Sequence, residues 1–180
     1  QGHRHAIYNI SSLKGQDSLI LTQKYALDIY ALDYTFDCNQ LPAAYSSREN
    51  LLLQQYLRPE QGVESNSAEI MAFTAQAVGS ETDIYRQARL LFAAVNRRLD
   101  YSEAALDQGA IASLARGSGN CEGYANLYLA SLRAMGIPAK RLNGYLYQPE
   151  KHAAADYFDP VRQRFRLDSL RHTWVEFYVP

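Results

Sequence analysis

The clearest periodicity in the chain runs from Ile84 to Leu99. Ile84, Ala88, Leu91, Phe92, Val95 and Leu99 recur at helical spacing, and Arg86, Arg89, Arg97 and Arg98 mostly take the other side. The pattern predicts an amphipathic helix that buries Phe92. A second helix is expected over Asn66 to Val78, with Ile70, Phe73, Thr74, Ala77 and Val78 on one face and Gly79 as its stop. Asn66 followed by Glu69 three residues later reads as its capping box. A third helix opens at Cys121. Ala125, Tyr128, Leu129, Leu132 and Met135 form its buried stripe, Gly136 ends it, and Pro138 prevents its return. Between the last two helices, the mixed stretch from Ser102 to Ala115 predicts a short helix around Ile111 and Leu114.

Elsewhere the period is closer to two. His5 to Ile10 and Ser18 to Asp37 are rich in β-branched and aromatic residues, with Gly15-Gln16-Asp17 as the turn between them. Alternation is only partial from Tyr25 to Tyr30, so a helix through part of residues 23–34 remains open. Further strands are expected at Arg141 to Tyr147, Val161 to Leu167 and Thr173 to Val179. In the second of these, Val161, Gln163, Phe165 and Leu167 face one way and Arg162, Arg164 and Arg166 the other. Alternation alone accounts for that arginine row as a solvated sheet face. The chain therefore reads as a β-rich segment over residues 1–50 and a mixed α+β core over 51–180, without internal repeats.

Composition narrows the function classes. The chain has 180 residues, 47% apolar and 21% charged, which suits one compact domain or one domain plus part of another. A domain of this size buries roughly 70% of its unfolded surface and needs neither metal nor disulfide to fold. A net charge of −1 gives no electrostatic reason to expect nucleic acid or an anionic membrane as partner. No run of 18 apolar residues is present, so no membrane-spanning segment is expected. The first residue is Gln, which points to a trimmed or processed chain, soluble in the cytoplasm or exported after signal removal. With no Cys-x-x-Cys, no His-Glu-x-x-His and no phosphate loop, neither a metal site nor a cofactor is expected. The 14 tyrosines are read as packing residues with an apolar body and a polar tip.

Candidate chemistry centres on Cys121. Gly117-Ser118-Gly119-Asn120 delivers it to the first turn of an amphipathic helix. There unpaired N–H groups and the helix dipole favour negative charge, and the same N–H groups can receive an oxyanion. The competing reading is a small buried hydrophobe. Cys38 lacks this setting, lies between strand-like residues, and is expected to be a core thiol. Of the four histidines, His3 and His5 sit at the fraying start of the chain and His152 in a loop. His172 opens a strand 51 residues after Cys121, where a rigid mount suits a base.

These residues sit within longer signatures. Leu114-Ala115-Arg116-Gly117-Ser118-Gly119-Asn120-Cys121-Glu122-Gly123-Tyr124-Ala125 resembles the nucleophile segment of the transglutaminase-like superfamily. Leu132-Arg133-Ala134-Met135-Gly136-Ile137-Pro138-Ala139-Lys140, Asn143-Gly144-Tyr145 and His172-Thr173-Trp174-Val175-Glu176 resemble the segments that follow there, in the same order. The likeness runs from near Leu57-Arg58-Pro59 to the end, about two-thirds of the chain. It implies a papain-like transglutaminase core, with helices packed on an antiparallel sheet, Cys121 on the central helix and His172 on the facing sheet. It also implies an aromatic near the thiol, for which Tyr101 is the candidate by position, its other role being helix-end packing. Trp174 and Glu176 would support the His strand and the cleft.

The implied chemistry is attack on a peptide or glutamine-type amide through a thioester. The outcome is hydrolysis, as a protease or amidase, or transfer to an amine, with hydrolysis preferred because water is always present. The implied partner is a protein or peptide substrate. The third member of the family's triad is an Asp beyond a Gly-Trp segment, whereas Asp156, Asp159 and Asp168 all precede His172. A chain cut before that Asp is expected to be weakly active or inactive, and to expose a sheet edge that invites homodimer pairing. The alternative is a catalytically incomplete scaffold that binds peptide or partner proteins.

Overall fold

The computed structural model describes residues 37–104, 106–146, 158–159, 164–165 and 171–180. Contacts divide the chain after Phe36, and the unit considered below is Asp37–Pro180. The strands expected before residue 37 lie outside the described residues. From 37 to 50 the strand reading fails. Cys38–Gln40 is a 3-10 turn, and helix α1 (Ser47–Leu53) begins behind a Ser46 and Glu49 capping box. Cys38 is exposed rather than a core thiol. Its polar surroundings, Asp37, Asn39 and Gln40, offer nothing to bury it against.

Helices α2 (Ala68–Val78) and α3 (Ile84–Arg98) form where the periodicity put them. The cap of α2 is Ser67, not Asn66, because the Ser67 hydroxyl accepts the N–H of Ile70. Asp83 caps α3 through the N–H of Arg86. Leu91, Val95 and Leu99 are buried as expected, but Phe92 is 58% exposed. It falls at the edge of the apolar stripe, beyond the core. Strand β1 (Asp100–Tyr101) follows, then α4 (Ala110–Arg116), β2 (Ser118–Gly119), α5 (Cys121–Ala134), β3 (Ala139–Tyr145), β4 (Phe158–Asp159), β5 (Arg164–Phe165) and β6 (Arg171–Phe177). Of the expected 161–167 strand, the pair 164–165 is described, opposite β4. The facing of its arginine row lies outside the described residues.

Helix α5 is the centre of the unit. It packs against α2, α3 and α4 on one side and the β3–β6 pair on the other. A single stripe therefore does not describe its burial. Asn126, Ser131 and Arg133 are buried along with Leu127, Leu129, Ala130 and Leu132. Tyr128 and Met135, expected within the stripe, are only half-buried. These polar groups of α5 are satisfied in place. The Asn126 side chain donates to the Gln108 carbonyl at 2.9 Å, and Ser131 donates back to Leu127 at 2.8 Å. Ile70, Leu91, Leu127, Leu129, Leu132 and Ile137 are fully enclosed, each worth about 1.5–3 kcal/mol in apolar burial.

The end of α5 is fastened by Arg133. Its guanidinium donates to the Ala139 carbonyl at 3.1 and 3.0 Å, to the Arg58 carbonyl at 2.7 Å, and to Glu60 at 2.9 Å. One buried cation thus ties the helix exit to the start of β3 and to the chain before α2. β3 and β6 then pair antiparallel, with Gly144 opposite His172 and Lys140 opposite Glu176. An antiparallel sheet packed by helices is the architecture the resemblance implied. Replacing Arg133 strands the two carbonyls that it now serves. Arg133→Met is expected to lower unfolding free energy by about 2–4 kcal/mol in a urea titration, and a change below about 0.5 kcal/mol would contradict this role.

Candidate active site

Short-range chemistry sets the turn that leads into Cys121. α4 ends at Gly117 with φ 76°, a left-handed conformation that glycine adopts without strain. The chain then pairs in parallel with β1, placing Tyr101 opposite Gly119. Asp100 N–H donates to the Gly117 carbonyl and Ser102 N–H to that of Gly119, both at 2.9 Å. The expected glycine loop is therefore a pinned strand. Gln108 Oε1 accepts the Asn120 N–H at 3.0 Å. Asn120 Oδ1 in turn caps α5, accepting from Glu122 N–H at 2.9 Å and Gly123 N–H at 3.4 Å. The Cys121 N–H is left without a partner among the described residues.

Gly123 allows this turn to close. A Cβ there would stand 2.6 Å from Gln108 Oε1 and 2.8 Å from Ser113 Oγ. Any side chain would push against the group that holds Asn120.

The facing wall comes from β6. The Trp174 ring lies across Gly144, where a Cβ would be 3.0 Å from Cζ3, and meets the His172 ring edge-on at 5.1 Å and 85°. Arg141 on β3 joins the sheet to α5. Its Nη1 reaches Asn126 Oδ1 at 2.8 Å and Glu122 Oε1 at 3.2 Å.

Cys121 and His172 line the same cavity, of about 370 Å³, together with Tyr101 and Trp174. Glu176 is not among its walls and ion-pairs across the sheet with Lys140 at 2.6 Å. The Tyr101 hydroxyl donates to Glu103, so its proton is already committed. That bond chiefly, then burial and the negative charges of Glu103 and Cys121, pushes the Tyr101 pKa up to about 12. Among the described residues, no side chain hydrogen-bonds the His172 ring and no cluster of acids, His or Cys is arranged to hold a metal. Nor is any helix long and apolar enough to cross a membrane.

The sequence reading missed Phe92, Asn96, Tyr124 and Tyr128 as cavity walls. The last two were legible, because 121, 124, 125 and 128 share one helical face. Gln108, Glu103 and Arg141 carried no local signal.

A family model for the transglutaminase-like superfamily matches residues 71–180. The chain belongs to this superfamily. Its fold is similar to that of a candidate cysteine protease from Cytophaga hutchinsonii, with a TM-score of 0.54 and 18% identity, covering 71% of this chain and 38% of that one. It is also similar to the periplasmic domain of TgpA from Pseudomonas aeruginosa bound to ethylmercury, with a TM-score of 0.51 and 19% identity, covering 76% and 46%. The chain thus spans less than half of either structure. At such identities the likeness is one of fold. No curated protein matches the sequence.

The close approach at Gly123 is testable in this transglutaminase-like chain. Gly123→Ala is expected to cost about 1–3 kcal/mol of stability by overpacking and to slow alkylation of Cys121, read by thermal melting and peptide mass spectrometry. A variant as stable and as reactive as the parent would show that the turn has room to spare.

Proposed function

We propose that this chain is a thiol enzyme acting on peptide or glutamine-type amides through a thioester, with Cys121 as nucleophile and His172 as its base. Superfamily membership and a fold neighbour described as a candidate cysteine protease support a cysteine hydrolase or acyltransferase family. The observation that carries the finer reading is the shared cavity of Cys121 and His172.

The Cys121 sulfur attacks the carbonyl carbon as its proton passes to His172. The oxyanion so formed meets the unpartnered Cys121 N–H at the head of α5. As the C–N bond breaks, His172 returns the proton to the leaving amine, and a thioester remains. Water then releases an acid and restores the thiol. An amine in place of water gives a new amide. Hydrolysis is the favoured outcome, since no acidic or basic side chain other than His172 lines the cavity to hold a charged acceptor.

A second reading, a binding scaffold for peptide or partner proteins, is favoured by one observation: no described side chain orients the His172 ring by a hydrogen bond. Residue-resolved alkylation separates the two readings. Under the enzyme reading, His172→Ala slows iodoacetamide modification of Cys121 at pH 6–7 by at least about tenfold, within the range of general-base effects. Cys121→Ala abolishes amide turnover and the acyl adduct seen by intact mass. A Cys121 whose labelling is slow and indifferent to His172 would leave the scaffold.

A further inference from the structure

The walls of the cavity argue for what enters it. Apart from Cys121 and His172 they carry no ionisable group but tyrosine, and every one of those tyrosine hydroxyls is already engaged. Tyr101 donates to Glu103, Tyr124 to the Leu99 carbonyl, and Tyr128 to the Ala88 carbonyl at 3.1 Å. Burial raises the pKa of Tyr128, which keeps that ring neutral. The three tyrosines therefore have no free hydroxyl proton to offer an occupant, and what their rings contribute is apolar surface. Phe92 meets Tyr128 edge-on at 5.8 Å and 74°. Phe92, Tyr101 and Trp174 all border the cavity and are 58, 63 and 38% exposed overall. Large aromatics at a cleft are covered at least cost by another apolar group.

Charge points the same way. The carboxylate tied to the cavity is Glu103, held by Tyr101 and by the Asn120 amide at 3.4 Å. The other acid beside the thiol, Glu122, is answered by Arg141. An anionic group entering here would lose its hydration beside Glu103 and find no Lys or Arg among the cavity walls, where His172 is the one basic group. A volume of about 370 Å³ lies at the small end of ligand pockets, roughly 300–1,000 Å³. It suits one large side chain and the amide beside it.

We propose that the cavity is a selectivity subsite for an uncharged aromatic group flanking the attacked carbonyl, and that Phe92 is its specificity-determining residue. This rests on the reading of Cys121 as nucleophile, and the test separates the two. The protein is treated in parallel with iodoacetamide, N-benzyl-iodoacetamide and iodoacetate, and each cysteine is quantified by peptide mass spectrometry. Cys38, exposed and outside the cavity, is the internal control for intrinsic reactivity.

Relative to Cys38, the benzyl reagent is expected to modify Cys121 at least tenfold faster than iodoacetamide, with saturation, and iodoacetate more slowly than either. Phe92→Ala is expected to cut the benzyl-to-plain ratio at Cys121 at least fivefold. The reagent ranking in the unaltered protein decides the subsite even if the variant does not fold. A Cys121 that is reactive and dependent on His172, yet indifferent to the benzyl group, overturns the subsite and leaves the proposed function standing. A benzyl preference unchanged in a folded Phe92→Ala variant overturns the assignment to Phe92. A Cys121 indifferent to His172 overturns the function, and the subsite with it.

Discussion

The hydrogen bonds accepted by Gln108 hold the geometry on which the candidate site depends. Its side-chain oxygen takes the N–H of Asn120, and its backbone carbonyl takes the amide of Asn126, one turn into α5. One buried residue thus grips α5 at Asn120, just before Cys121, and at Asn126, just over a turn beyond it. The grip leaves space only for glycine at position 123, since a Cβ would overlap both Gln108 and Ser113. Fixing a reactive group by contacts this tight is how a site reduces the reorganisation its chemistry would otherwise need. Asn120 then spends its side chain on the second and third N–H groups of the helix and leaves the first free.

The opposite wall is registered by cations as well as by packing. Arg133 joins the end of α5 to the start of β3, and Arg141 joins its beginning to the middle of that strand. With the helix fixed against β3 at two points, antiparallel pairing decides where His172 falls, opposite Gly144. A one-residue slip would send the imidazole to the other face of the sheet. The paired arginines are therefore part of how the thiol and imidazole come to share a cavity, although neither lines it.

Between these walls, aromatic rings do two things at once. They lower the local polarity, which strengthens any charge interaction formed within. The hydroxyls of the three tyrosines are turned onto protein acceptors. Phe92, Tyr101 and Trp174 also keep apolar surface open to solvent, which is the basis for the proposed preference for an uncharged occupant.

The local sequence determined the helices, because α2, α3 and α5 each repeat apolar residues at a period that only a helix satisfies. It determined Cys121 at a helix start and His172 on a strand, since caps, glycines and alternation are short-range features. It also carried the superfamily likeness, in motifs a few residues long. It did not determine the state of residues 37–50, which read as the end of a β-rich segment and where a capping box makes a helix. Nor did it reveal that Phe92 stands outside the core, or that Glu103, Gln108 and Arg141 hold the turn around Cys121. Those roles join residues 12 to 19 positions apart or more. Whether a side chain is buried, paired or open at such distances depends on which surfaces the fold brings together, and no local pattern carries that information. Only the tertiary structure decided that sulfur and imidazole would border one cavity.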